Sequence, residues 1–94
     1  MSDIEHARAV RRRRSQILRR LRNGDRSLRK TLERPPKALL GMTVYDLIVA
    51  SHNMGPAGAS TTLFKVSVPP MTPVGHLDPY TLRKIIQHLP KRAT

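Results

Sequence analysis

Eight prolines and five glycines cut this chain into pieces, and only one piece is long enough for more than a few helical turns. Proline fixes φ and removes an amide donor, so a helix stops at Pro35-Pro36 and at Pro90, while Pro69-Pro70 and Pro73 impose an extended connector. Residues 1–23 contain neither breaker. Ser2 and Glu5 have the spacing of a capping box, with acids in the first turn where the helix dipole favours them. A first helix is therefore predicted from here to Asn23-Gly24, where glycine supplies a left-handed terminating residue. Val10, Ile17 and Leu21 fall on one of its faces.

The remaining pieces hold one short helix each. Asp25 or Ser27 caps a helix that carries Leu28 and Leu32 at i, i+4 spacing and ends before Pro35. After a connection from Lys37 to Gly41, Thr43 caps another, with Asp46 in its first turn and Val44, Leu47 and Ile48 as its buried stripe. A Gly-rich turn from His52 to Ser60 follows, in which Pro56 suits the first position of a helix whose inner face holds Ala59, Leu63 and Val66. Gly75 permits a turn in the extended connector, and Asp78-Pro79 then opens a last helix with the stripe Leu82, Ile85, Ile86 and Leu89. No alternating run exceeds Phe64 to Val68, so strands have little support. The chain reads as an all-α fold of about five short helices, with a long basic N-terminal helix and no repeat. Its predicted core is Leu21, Leu28, Leu32, Val44, Leu47, Ile48, Leu63, Leu82, Ile85, Ile86 and Leu89.

Charge decides the kind of partner. The 94 residues carry 18 Lys+Arg against 6 Asp+Glu, a net +12, and two thirds of that excess lies between Met1 and Arg34. Arginine outnumbers lysine 13 to 5, which suits phosphate because the guanidinium fork matches two phosphate oxygens, although a GC-rich genome gives the same bias without functional cause. Arg11 to Arg14 in succession, at about 100° per residue, surround the helix, so no single solvated face holds them. The N-terminal half of that helix is therefore expected to stand off the core and to order on a polyanion, and residues 1–14 are expected to be dispensable for folding. A disulfide framework and a thiolate metal site are excluded, because cysteine is absent. His6, His52, His76 and His88 have no partner at ligand spacing, and no serine lies in a nucleophile elbow, so no metal, cofactor or catalytic residue is expected. With only Tyr45, Phe64 and Tyr80 as aromatics and 38% hydrophobic residues, the core is too thin to wall an enzyme cleft. No apolar run approaches the roughly 20 residues of a membrane span, and arginines stand where a signal peptide would be apolar, so a soluble, cytoplasmic protein is expected.

Residues Ala7 to Pro90 resemble the actinobacterial (mycobacterial) integration host factor family of small nucleoid-associated proteins. The basic helix Arg11 to Arg22 with Leu21 before Asn23-Gly24, then Leu28 and Leu32, matches the family's arginine-rich helix and the small helix after it. Leu40-Gly41-Met42-Thr43-Val44 with Leu47-Ile48 resembles its Gly-Lys-Met-x-Val block, here without the lysine. Gly55 with Ala59 is similar to its Val-Gly-x-x-x-Ala hairpin, and Pro70, Leu77 and Tyr80 to Leu89 fit its last connector and helix. The resemblance implies an all-helical fold with a helix-two-turns-helix element. It also implies binding to double-stranded DNA with little sequence preference, in compaction or integrative recombination, beside a recombinase or a host nucleoid protein. Pro56 and Gly58 stand where the family has basic residues, and Met71 to His76 replace an arginine-rich connector. Charge has moved to the N-terminal helix, as expected of a divergent, phage-encoded member.

The expected DNA-binding residues are Arg8, Arg11, Arg12, Arg13, Arg14, Arg19, Arg20 and Arg22 on the first helix, and Gly55, Ala57, Gly58, Ala59, Ser60 and Lys65 at the hairpin. Arg83 and Lys84 on the last helix complete the set. Residues 1–24 form a basic helix or arm, 25–90 a helical domain and 91–94 a tail. The same electrostatics fit an RNA- or ribosome-associated protein, with few aromatics for stacking, or a phage factor whose basic helix docks on an acidic host protein.

Overall fold

The computed structural model describes residues 3–93. Five helices follow one another: α1 (Asp3–Asn23), α2 (Leu28–Glu33), α3 (Val44–Ala50), α4 (Pro56–Lys65) and α5 (Pro79–His88), with single 3-10 turns at Lys37–Leu39 and Val74–His76. Among the described residues the chain is all-helical, its only β-type pairing an isolated bridge between Thr43 and Pro73. Ser2, one half of the expected capping box, lies outside the described residues.

Three helices, α2, α3 and α5, start where a side chain satisfies a free amide, whereas α4 starts at Gly55 and Pro56 without a side-chain cap. The Ser27 hydroxyl accepts from the Lys30 amide at 3.2 Å, the Thr43 hydroxyl from Asp46 at 3.1 Å, and the Asp78 carboxylate from Thr81 at 2.7 Å. The Thr81 backbone bond holds the Asp78 carboxyl below the ordinary aspartate range. At the other end of α1, Gly24 takes φ +80° while its amide and that of Asp25 bond back to the carbonyls of Leu21 and Arg20. A Cβ at Gly24 would also lie 3.3 Å from the His52 ring, so conformation and space both require glycine.

The core runs between the layers α2·α5 and α3·α4, closed by the second half of α1. Ten of the eleven predicted core residues are buried, and Ile86 is partly covered against them. Ile17 joins Leu21 on the buried stripe of α1. Ala38, Leu39, Val68, Val74 and Ala93 are core residues too, which periodicity could not show because they sit in turns or connectors. Lys91 to Ala93, read as a tail, fold back, with Ala93 only 5% exposed. The connector after α4 is laced to the segment before α3: Val44 donates to Thr72, Val74 to Met42 and Gly75 to Leu40, each at 2.9 Å. Gly75 lies in the 3-10 turn Val74–His76, as expected, and a Cβ there would lie 3.1 Å from the Leu40 carbonyl oxygen, so the glycine also permits a close backbone approach.

The expected boundary of the arm moves. From Ile4 to Ala9 every side chain is exposed, but Val10 packs against the core and the Arg14 Nε donates to the Ala38 carbonyl at 2.9 Å. Residues 10–14 are thus part of the fold. Deleting residues 1–9 is expected to leave a cooperative melt whose midpoint moves by less than about 4 °C, since exposed side chains contribute little. Circular dichroism would check it, and a lost transition would give those residues a packing role.

Candidate nucleic-acid interface

The helical repeat sorts the arginines of α1 that look equivalent in sequence. With Ile17 and Leu21 marking the buried side, Arg8, Arg12 and Arg19 fall within about 40° of one another on the opposite face, with Arg11 and Arg22 flanking them. All five are exposed. Arg14 lies on the buried side and is bonded to Ala38, its guanidinium 3.4 Å from where a Cβ on Gly41 would sit, so it is a packing residue and not a free contact. The four arginines therefore do not simply ring the helix: two face out, one faces in, and Arg13 lies on a flank.

On that flank Arg13 and Arg20, one heptad apart, meet Arg26 from the turn between α1 and α2. With Gln16, Ile17 and Arg19 they line an open groove of about 300 Å³. Burial draws the Arg26 pKa below the ordinary arginine value, and the charges of Arg20 and then Arg13 add to the shift. The group stays cationic at neutral pH. Arg26 was not among the expected contacts, because nothing in the order of residues places it against α1.

The α3–α4 hairpin differs from expectation. Gly55 has an extended backbone, φ −148°, that any residue adopts, and a Cβ there would meet nothing within 4 Å. Ala57, Ser60 and Lys65 lie on the exposed stripe of α4, but Gly58 and Ala59 face inward. Ala59 is a core residue whose amide is bonded to the Gly55 carbonyl, so it offers neither a side-chain surface nor a free donor, and Gly58 offers no side-chain surface. Gly58 makes room instead: a Cβ would lie 3.1 Å from the Arg92 guanidinium and 3.2 Å from the Met54 methyl. Arg92 reaches the hairpin from the end of the chain, its Nε donating to the Asn53 carbonyl at 3.1 Å. Lys65, His88 and Arg92 then share a groove of about 320 Å³ with Ala57, Gly58 and Thr61. Arg92 thus brings a guanidinium to the hairpin from 39 residues along the chain.

Arg83 and Lys84 are not brought to the α1 face. Arg83 lines a separate groove with Glu33 and Gln87, and the Lys84 ammonium sits 4.8 Å over the Tyr80 ring. Arg29 is half-buried: its Nη1 donates to the Ile86 carbonyl at 2.9 Å and its Nη2 to the Pro90 carbonyl at 3.0 Å, capping the end of α5. One surface carries no charge, the groove of Leu63, Phe64, Val68 and Pro69-Pro70, where Phe64 is 86% exposed. Among the described residues no three His, Asp or Glu side chains are placed to hold a metal ion, and no helix is long and apolar enough to cross a membrane.

No protein-family profile and no curated protein matches the chain. Its structure is similar to a solved one described as sIHF bound to an 8bp palindromic DNA, with a TM-score of 0.75 and 19% sequence identity. The likeness covers 92% of this chain and 99% of that one, so the two share an all-helical fold over nearly their whole lengths.

Proposed function

We propose that this chain is an architectural, non-enzymatic protein that binds duplex DNA with low sequence preference, as a divergent relative of the actinobacterial integration host factors. The observation that carries the reading is the outer face of α1, where five exposed arginines line one side of a helix about 30 Å long. A duplex carries phosphates at comparable spacing, and guanidiniums on a rigid helix meet them without reading bases. The hairpin groove of Lys65, His88 and Arg92 supplies a second backbone contact, with α3–α4 read as the helix-two-turns-helix element. The neighbour that shares the fold is described as bound to DNA, which supports the same class of ligand here. Compaction or integrative recombination on a bacterial nucleoid is the setting that fits such binding.

Fluorescence anisotropy on a short duplex should show log K falling by about 4.5 per tenfold rise in salt, about 0.9 for each of five phosphate contacts. A slope below that of three contacts, about 2.7, would sink the reading. The exposure of Phe64 favours one alternative, stacking on unpaired RNA bases, which competition by structured RNA and by an acidic protein in the same assay tests.

A further inference from the structure

The flank of α1 differs from its outer face in being built. The Arg26 Nε donates to the Thr31 hydroxyl at 2.9 Å, and that hydroxyl, 1% exposed, donates to the Ser27 carbonyl at 2.6 Å. The hydroxyl proton is thereby committed to Ser27, and its lone pair aims at Arg26. The amides of Asp25 and Arg26 are in turn bonded to the Arg20 carbonyl at 2.9 and 3.2 Å, which fixes the start of α2 against the last turns of α1. Arg26 is thus oriented within a groove that the guanidiniums of Arg13, Arg19 and Arg20 also line, with the Gln16 amide beside them and no carboxylate. Folding has crowded like charges where solvent alone would separate them, and a bound anion relieves that repulsion.

We propose that Arg13, Arg20 and Arg26, with Gln16, form a discrete seat for one tetrahedral phosphate group, oriented through Thr31. The inference rests on the duplex-binding reading for its ligand, since a backbone phosphodiester and a free inorganic phosphate present the same oxygens. Arg26 takes two of those oxygens through its Nη groups, while Thr31 holds its Nε, and Arg13 and Arg20 close the seat from α1. A diffuse cationic surface responds to net charge; a seat responds to the geometry of each fork.

Two variants of the full chain separate these cases, because neither changes net charge. Arg26→Lys removes the fork, and Thr31→Val removes the oxygen that orients it at almost unchanged volume. Each is expected to weaken duplex binding about fivefold, the scale of one hydrogen bond, with a thermal midpoint near that of the parent. If Thr31→Val fails to fold, Arg26→Lys decides alone. In parallel, the arginine Nε–H signals are followed by NMR while inorganic phosphate, and separately a short duplex, is added. The Arg26 signal should move with both, and that of Arg29, already bonded to Ile86 and Pro90, should stay. Unchanged duplex binding in the variants together with a silent Arg26 signal overturns the seat, even where the duplex still binds. A response to phosphate without duplex binding keeps the seat as a free-phosphate site and overturns the duplex reading instead.

Discussion

Replacing Arg11, Arg12 and Arg13 together with alanine is expected to lower duplex affinity by on the order of a few hundred-fold near about 0.1 M salt, since each phosphate contact contributes close to a factor of ten there. The salt dependence should flatten by about three contacts at the same time, a slope change near 2.7. All three side chains are exposed and none belongs to the core, so the thermal midpoint should hold. Arg14 is left in place because its bond to the Ala38 carbonyl belongs to the fold, and its loss would mix stability with binding. Anisotropy at several salt concentrations measures affinity and slope together. A loss smaller than tenfold with an unchanged slope would mean that α1 is not the principal contact and that the hairpin groove is.

Leu21→Ala is expected to destabilise the protein by roughly 3–5 kcal/mol, the range for emptying a fully enclosed leucine site. At about 4–8 °C per kcal/mol for a domain of this size, the midpoint falls by well over 10 °C. Leu21 is 0% exposed, and its carbonyl accepts from the amides of Gly24 and of His52, the latter at 2.8 Å, so the last turns of α1 are tied to the turn after α3. Leu21→Met, of nearly equal volume, should cost under about 1.5 kcal/mol. Thermal melts of both variants check the pair. A small shift for Leu21→Ala would show that the second half of α1 is a dispensable arm, against the packing described above.

Helix positions were legible in the sequence because caps and breakers act locally. Ser27, Thr43 and Asp78 each bond an amide three residues on, and Pro56 and Pro79 each open a helix. Stripes such as Leu82, Ile85 and Leu89 were legible for the same reason, a period shorter than the helix that carries it. Ala38, Leu39 and Val74 were not, since a single 3-10 turn is too short for any period to declare itself. The site was legible only as a region. That α1 carries the charge follows from composition, yet the division of labour among Arg11, Arg12, Arg13 and Arg14 depends on where the core lies, and Ile17 reveals that only as a member of a core shared with Leu39 and Val44. Arg26 and Arg92 reach their grooves through contacts across the fold, and no local signal marks them. Gly58 illustrates the reverse error: glycine in a turn before a helix suggests a ligand, whereas here it accommodates a side chain of the same protein.

The lacing of Leu40, Met42 and Val44 to Gly75, Val74 and Thr72 also has a kinetic meaning. Those three rungs close a loop of roughly thirty residues that contains all of α3 and α4, and closing it costs about 3 kcal/mol of chain entropy beyond a constant before any rung rewards it. The individual helices form on shorter timescales than such a closure. The neck of this loop is therefore expected to close late in folding, after the individual helices have begun to form. A chain emerging during synthesis thus presents its cationic helix to surrounding polyanions before its hairpin is assembled.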